Sequence, residues 1–159
     1  LFFMINNLLS LLTYENIYLV ANWGVIPFWL LLVFIPNSQV TNFLTQSVIV
    51  PLLLATGYAY LSYIIYQEGN IFDGFELYSG LDGLYSMFAN EGLLLIFWLH
   101  FLAISLFAGS WIARDSKRYF IPKAVTIPSL ILTYFTGPIG LVIYWFFRIF
   151  FAKKISFND

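Results

Sequence analysis

A chain of 159 residues has room for one domain, but 61% of it is apolar, 9% is charged and its mean hydropathy is +0.85. That excludes the polar surface a water-soluble fold of this size needs. There is no cysteine, which also excludes disulfides, thiolate metal sites and cysteine nucleophiles. All seven Lys and Arg lie between Arg114 and Lys154, whereas every acid except Asp115 and Asp159 lies between Glu15 and Glu91; this division of charge reports membrane topology and not a nucleic-acid partner.

The opening LFFMINNLLSLL is too short to span a bilayer and has no basic segment, so it does not read as a secretory signal; an organelle-targeting peptide upstream is left open. A hydrocarbon core of about 30 Å takes roughly 20 mainly apolar residues per helix, and four segments satisfy that ruler. The first runs over 17–35, is closed by Pro36-Asn37, and should kink at Pro27, which has no N–H to donate, unless a neighbour satisfies the freed carbonyl. The second runs over 47–66, with Pro51 tolerated in its first turn. Thr41 and Ser47 flank a short, uncharged hairpin loop between them.

Residues 67–90 turn polar and acidic and read as a loop outside the membrane. Within it Leu81, Leu84, Tyr85 and Phe88 fall at i, i+3, i+4 and i+7, the stripe of a short amphipathic helix lying on the membrane surface. Asn90 is the expected N-cap of the third span, 91–112, which ends at the charged stretch Arg114, Asp115, Lys117, Arg118. The fourth runs over 125–147 and should bend or break at Gly137-Pro138-Ile139-Gly140. The expected fold is therefore all-α: a single-domain integral membrane bundle of about four transmembrane helices over 1–159, with a short amphipathic helix in the 67–90 loop. With four crossings, four Lys and Arg lie in the Arg114–Lys123 loop and three at the C-terminal end, so the positive-inside rule barely decides the orientation.

Ionisable residues within hydrocarbon are costly and mark functional candidates. His100 alone stands deep, mid-way along the third span, and on helical spacing it shares a face with Phe97, Ala103, Phe107 and Trp111. Such an imidazole either bonds a backbone carbonyl, ligates the metal of a tetrapyrrole or transfers protons. Glu91 opens the same helix, where the macrodipole favours a carboxylate, and nine residues put it on the face opposite His100. Asn22 suits a helix bridge, while Ser105 with Gly109, and Ala55, Gly57 and Ala59, are small-residue packing patches. No nucleotide loop, zinc motif, row of intramembrane carboxylates or Arg-rich helix is present, so transporter, channel and ATP-driven classes lose weight and no metal site is expected.

Three stretches, ANWGVIPFWLLLVFIP at 21–36, MFANEGLLLIFWLHFLAISLFAGSWIARDS at 87–116 and IPSLILTYFTGPIGLVIY at 127–144, give the chain a family likeness. It resembles the abscisic-acid-deficient-4-like family, four-helix membrane proteins of plants, algae and bacteria whose plant member is required to make neoxanthin from violaxanthin. The motif positions are Asn22, Pro27, Trp29 and Pro36; Glu91, Trp98 and His100; Asp115; and Gly137, Pro138 and Gly140. The resemblance implies a carotenoid-handling protein, most concretely a xanthophyll isomerase, with His100 and Glu91 as acid-base candidates and His100, Phe97, Trp98, Phe107 and Trp111 as pigment contacts. One departure argues against catalysis: Ser105 stands where the family pattern has an acid.

The alternative is a non-catalytic accessory subunit of a photosynthetic or other membrane complex, binding pigment and packing against partner helices. The sequence requires no cofactor; carotenoid or chlorophyll and membrane lipid are the expected partners. A plastid thylakoid or envelope, or a bacterial inner membrane, is the expected location.

Overall fold

The computed structural model describes residues 12–45, 49–69 and 71–153. The opening segment and Ser47, where the second span was expected to begin, lie outside them. The described residues are helical throughout, without strands: α1 (Tyr14–Gly24), α2 (Ile26–Phe34), α3 (Gln39–Leu44), α4 (Ile49–Gln67), a 3-10 helix (Ile71–Tyr78), α5 (Leu81–Ala89), α6 (Glu91–Arg118), α7 (Lys123–Thr136) and α8 (Pro138–Ala152). Two stretches, Tyr14–Phe34 and Glu91–Arg118, are long and apolar enough to cross a membrane by length and composition. Large apolar side chains stand exposed along them and their neighbours, Trp23, Phe34, Phe107 and Phe135 among them, a surface that water does not tolerate but lipid does.

The chain divides into two compact units, one from residues up to Gly24 with Leu52–His100, the other from Val25–Pro51 with the chain from Phe101 onward. In the first, Leu61 of α4 packs with Leu95 and Leu99 of α6, joined by Tyr14, Ile17 and Ala21 of α1. Leu95 and Leu99 are four apart on α6 and so share a face. Gly57 lets α4 approach closely, since a Cβ there would sit 3.4 Å from Leu99 Cδ1. Its neighbours Ala55 and Ala59 are exposed, which corrects the broader small-residue patch expected on α4.

A second cluster, Ile65, Met87 and Leu93, takes up Leu77, Leu84 and Phe88 from the acidic loop. The expected amphipathic helix is therefore present as α5, but rotated: Leu84, Met87 and Phe88 face the unit, while Leu81 and Tyr85 are exposed. Asn90 caps α6 as anticipated, its Oδ1 accepting from Leu93 N at 3.1 Å.

In the second unit, the interruption between α1 and α2 falls at Val25, two residues ahead of Pro27. The hairpin loop expected after Pro36 holds a short helix, α3, capped by Ser38, whose Oγ accepts from Thr41 N at 3.0 Å. Gly109 of α6 lies against the Trp29 ring, and Ser110 Oγ donates to the Thr45 carbonyl at 2.7 Å. The anticipated Ser105/Gly109 packing face is thus in use, with Ser105 beside Gly137.

The run expected to cross as one span over 125–147 is instead two helices folded back on each other. Gly137 takes φ 63°, ψ -90°, a conformation that side chains rarely adopt, and Pro138 starts α8 in its first turn. Gly140 then lies against the backbone of α7, so closely that a Cβ would overlap Thr133 N and Oγ1 and the Ser129 carbonyl. The polar residues in this seam need no partner from α8. Thr126, Ser129 and Thr133 each donate to the carbonyl four residues earlier on α7. At 14 and 15 residues, α7 and α8 rise about 21 and 22 Å, and each falls short of a core of about 30 Å.

Candidate functional site

His100 and Glu91, the acid-base pair suggested by the sequence, are both exposed, and their nine-residue separation on α6 turns them to opposite faces. Phe97 is exposed and meets Phe88 edge-on at 4.9 Å; Trp98 is half-buried and lies 6.3 Å from Tyr18. In the second unit, Phe107 is exposed, whereas Trp111 turns inward to an edge-on contact with Tyr144 at 5.7 Å. Three of the five expected pigment contacts, His100, Phe97 and Phe107, are therefore exposed, while Trp98 and Trp111 are half-buried and Trp111 belongs to a different constellation.

That constellation is a buried polar cluster that sequence reading left dispersed. Asp115, near the end of α6, is 7% exposed, while Tyr144 and Arg148 of α8 are fully buried. Asp115 Oδ2 accepts from both the Tyr144 hydroxyl and Arg148 Nε, each at 2.7 Å. The guanidinium lies over the rings of Tyr119 at 4.8 Å and Trp111 at 5.8 Å, so the ion pair is roofed by aromatic faces. Tyr144 and Arg148 stand four apart on the face that also carries Gly140, and this i, i+4, i+8 row was the signal available in the sequence. The cluster ties α8 to the end of α6.

Space for a ligand lies elsewhere in the same unit, between α2 and α7, which run antiparallel. One cleft of about 260 Å³ is walled by Trp29, Leu30, Phe34, Ile131, Tyr134 and Phe135, with Trp29 and Tyr134 edge-on at 5.5 Å. A second, of about 520 Å³, adjoins it through Val33 and ends among Asn37, Ser116, Lys117, Lys123 and Thr126. The first offers flat apolar walls and the second a polar, basic mouth. Neither was legible as a site, because each wall draws on segments remote in sequence.

The model of the ABA DEFICIENT 4-like (ABA4-like) family matches residues 16–144. The chloroplastic protein ABA DEFICIENT 4 of Arabidopsis thaliana is 28% identical over 131 residues, covering 80% of this chain and 58% of that protein. The chain thus spans somewhat over half the length of the curated relative it matches. No solved structure matches it. With the family match running from α1 into α8, the chain belongs to the ABA DEFICIENT 4-like family.

Proposed function

We propose that this protein handles xanthophylls within a plastid membrane and takes part in forming neoxanthin-type allenic carotenoids. The observation that carries the reading is the family match over residues 16–144; the chloroplastic relative supports the plastid over a bacterial inner membrane. The apolar, aromatic-walled cleft with its polar mouth agrees with an elongated ligand that bears oxygen at one end. Membrane insertion uses Tyr14–Phe34 and Glu91–Arg118, and the 19-residue α4, which carries no charged residue and rises about 28 Å, makes a further crossing.

Rearrangement of an epoxide to an allene is an isomerisation. A donor protonates the epoxide oxygen as its C–O bond breaks, and a base removes a proton from the adjacent polyene carbon, whose electrons form the new double bond. His100 and Glu91 are the acid-base candidates; since they stand on opposite faces of α6, one substrate molecule meets them separately and not as a dyad. The test is to express the chain in a host that accumulates epoxy-xanthophyll and to analyse the pigments by chromatography and mass spectrometry. A new pigment of unchanged mass, lost in His100→Ala or Glu91→Ala while the protein remains folded, is the expected result. Unchanged pigments beside abundant folded protein would overturn the enzymatic part of the reading.

A second reading is favoured by one feature: Ser105, at the position where the resemblance implies an acid, is a hydroxyl buried against Gly137. A chain kept for assembly would bind carotenoid or chlorophyll without converting it, and gentle-detergent purification would recover it in fixed proportion within a larger membrane complex.

A further inference from the structure

The two clefts share Val33 on their walls, and we propose that they join as one groove that seats an oxygenated end of a xanthophyll, with the end ring in the polar mouth and the adjoining polyene along the aromatic slot; this rests on the carotenoid reading above. From Phe135 to Lys123 the groove follows α7 for about 18 Å. Its inner part presents ring faces and branched side chains, which suit a flat conjugated chain that offers no hydrogen bonds. At the mouth, the Ser116 and Thr126 hydroxyls already donate to backbone carbonyls. The exposed Asn37, Lys117 and Lys123 carry N–H donors there, the complement of an epoxide or hydroxyl oxygen, which accepts. A carotene without oxygen would leave that mouth unused.

The absence of native cysteine makes a direct test available. Val33→Cys, on the wall shared by both clefts, and the exposed Val142→Cys on α8 are placed separately in the full chain, purified in detergent and alkylated with a maleimide. With an epoxy-xanthophyll at about ten times its Kd, labelling at position 33 should slow about tenfold and labelling at 142 should not change. Binding seen by induced visible circular dichroism without protection at position 33 overturns the groove and leaves the carotenoid reading standing. No binding by either measure overturns both. Equal protection by an oxygen-free carotene, or by anionic phospholipid micelles alone, also overturns the assignment, the latter making the groove a lipid site.

An independent observation bears on the topology. Asp115 follows the third crossing, so if 125–147 also crossed, Arg148 would emerge on the far side, some 30 Å away; instead its Nε lies 2.7 Å from Asp115 Oδ2. We infer that α7 and α8 form a re-entrant hairpin, so that the chain crosses three times and both ends of the hairpin return to one side. Arg114, Lys117, Arg118, Lys123, Arg148 and Lys153 then share that side, and Glu15, Glu68, Asp73, Glu76, Asp82 and Glu91 share the other, which turns a four-to-three count into a decisive positive-inside bias. Single cysteines at Ser79, Lys117 and Lys153, challenged with an impermeant maleimide in sealed vesicles of one orientation, test this. Labelling of 117 and 153 from the same side, with 79 from the other, is expected; labelling of 153 together with 79 would restore four crossings and overturn the hairpin.

Discussion

Removing either charge of the Asp115–Arg148 pair should destabilise the protein by about 3–5 kcal/mol, because it strands a buried charge. Arg148→Met deletes the Nε donor and leaves the Asp115 carboxylate with the Tyr144 hydroxyl. A hydrogen bond to a charged group is worth about 1.5–3 kcal/mol, and the uncompensated carboxylate supplies the rest. Asp115→Asn keeps the shape but removes the counter-charge from a fully buried guanidinium. The Trp111 and Tyr119 rings offset part of that, about 0.5–2 kcal/mol. The double variant removes both charges, so its cost should fall below the sum of the singles by about 2 kcal/mol. Unfolding of purified protein in mixed micelles, followed by circular dichroism as the denaturing detergent is raised, gives the cycle. Single costs under about 1 kcal/mol, or coupling under about 0.5 kcal/mol, would refute the reasoning, since neither fits a desolvated pair.

Gly140→Ala should cost about 1–3 kcal/mol by forcing α7 and α8 apart, read as a lowered thermal midpoint, whereas Gly24→Ala, where a Cβ meets nothing within 4 Å, should not. Ser38→Ala removes the cap of α3 and should cost about 0.5–2 kcal/mol in the same assay. On the 3-10 helix, residues three apart eclipse, so the exposed Phe72, Phe75 and Tyr78 form one row and Asp73 and Glu76 another. Spin labels at 72, 75 and 78 should therefore be more accessible to oxygen than to a water-soluble nickel complex, and labels at 73 and 76 the reverse; equal ratios would remove the aromatic row from the membrane interface.

Local chemistry was legible in the sequence wherever one residue decides the backbone. Asn90 caps α6 because its amide reaches an otherwise unpaired N–H, and the kink expected at Pro27 is in fact a break between two helices at Val25, since proline cannot donate. The break at Gly137-Pro138 was also anticipated, but not its angle: a continuing bend and a full reversal call for the same residues, and only the contact of Gly140 with Ser129 and Thr133 distinguishes them. The phase of α5 was misread because its inner face is set by Ile65 and Leu93, contributed from other helices, so Met87 displaced Leu81 and Tyr85 from the buried stripe. Asp115 and Arg148 read as loop and terminal charges for the same reason. Thirty-three residues separate them, and no periodicity along one helix reports a contact made by a reversal.

The reversal also bears on where chemistry is possible. His100 is not among the residues that wall either cleft. An end ring held at the mouth is therefore held without His100. His100→Ala should accordingly leave xanthophyll protection of Val33→Cys unchanged even if it abolishes conversion, because binding one ring at the mouth and acting on another are separable over a long polyene. Lys117→Ala with Lys123→Ala should do the opposite first, weakening protection. If His100→Ala weakens protection as strongly as the double lysine variant, the two positions serve one ring, and the groove as drawn cannot be where that ring sits.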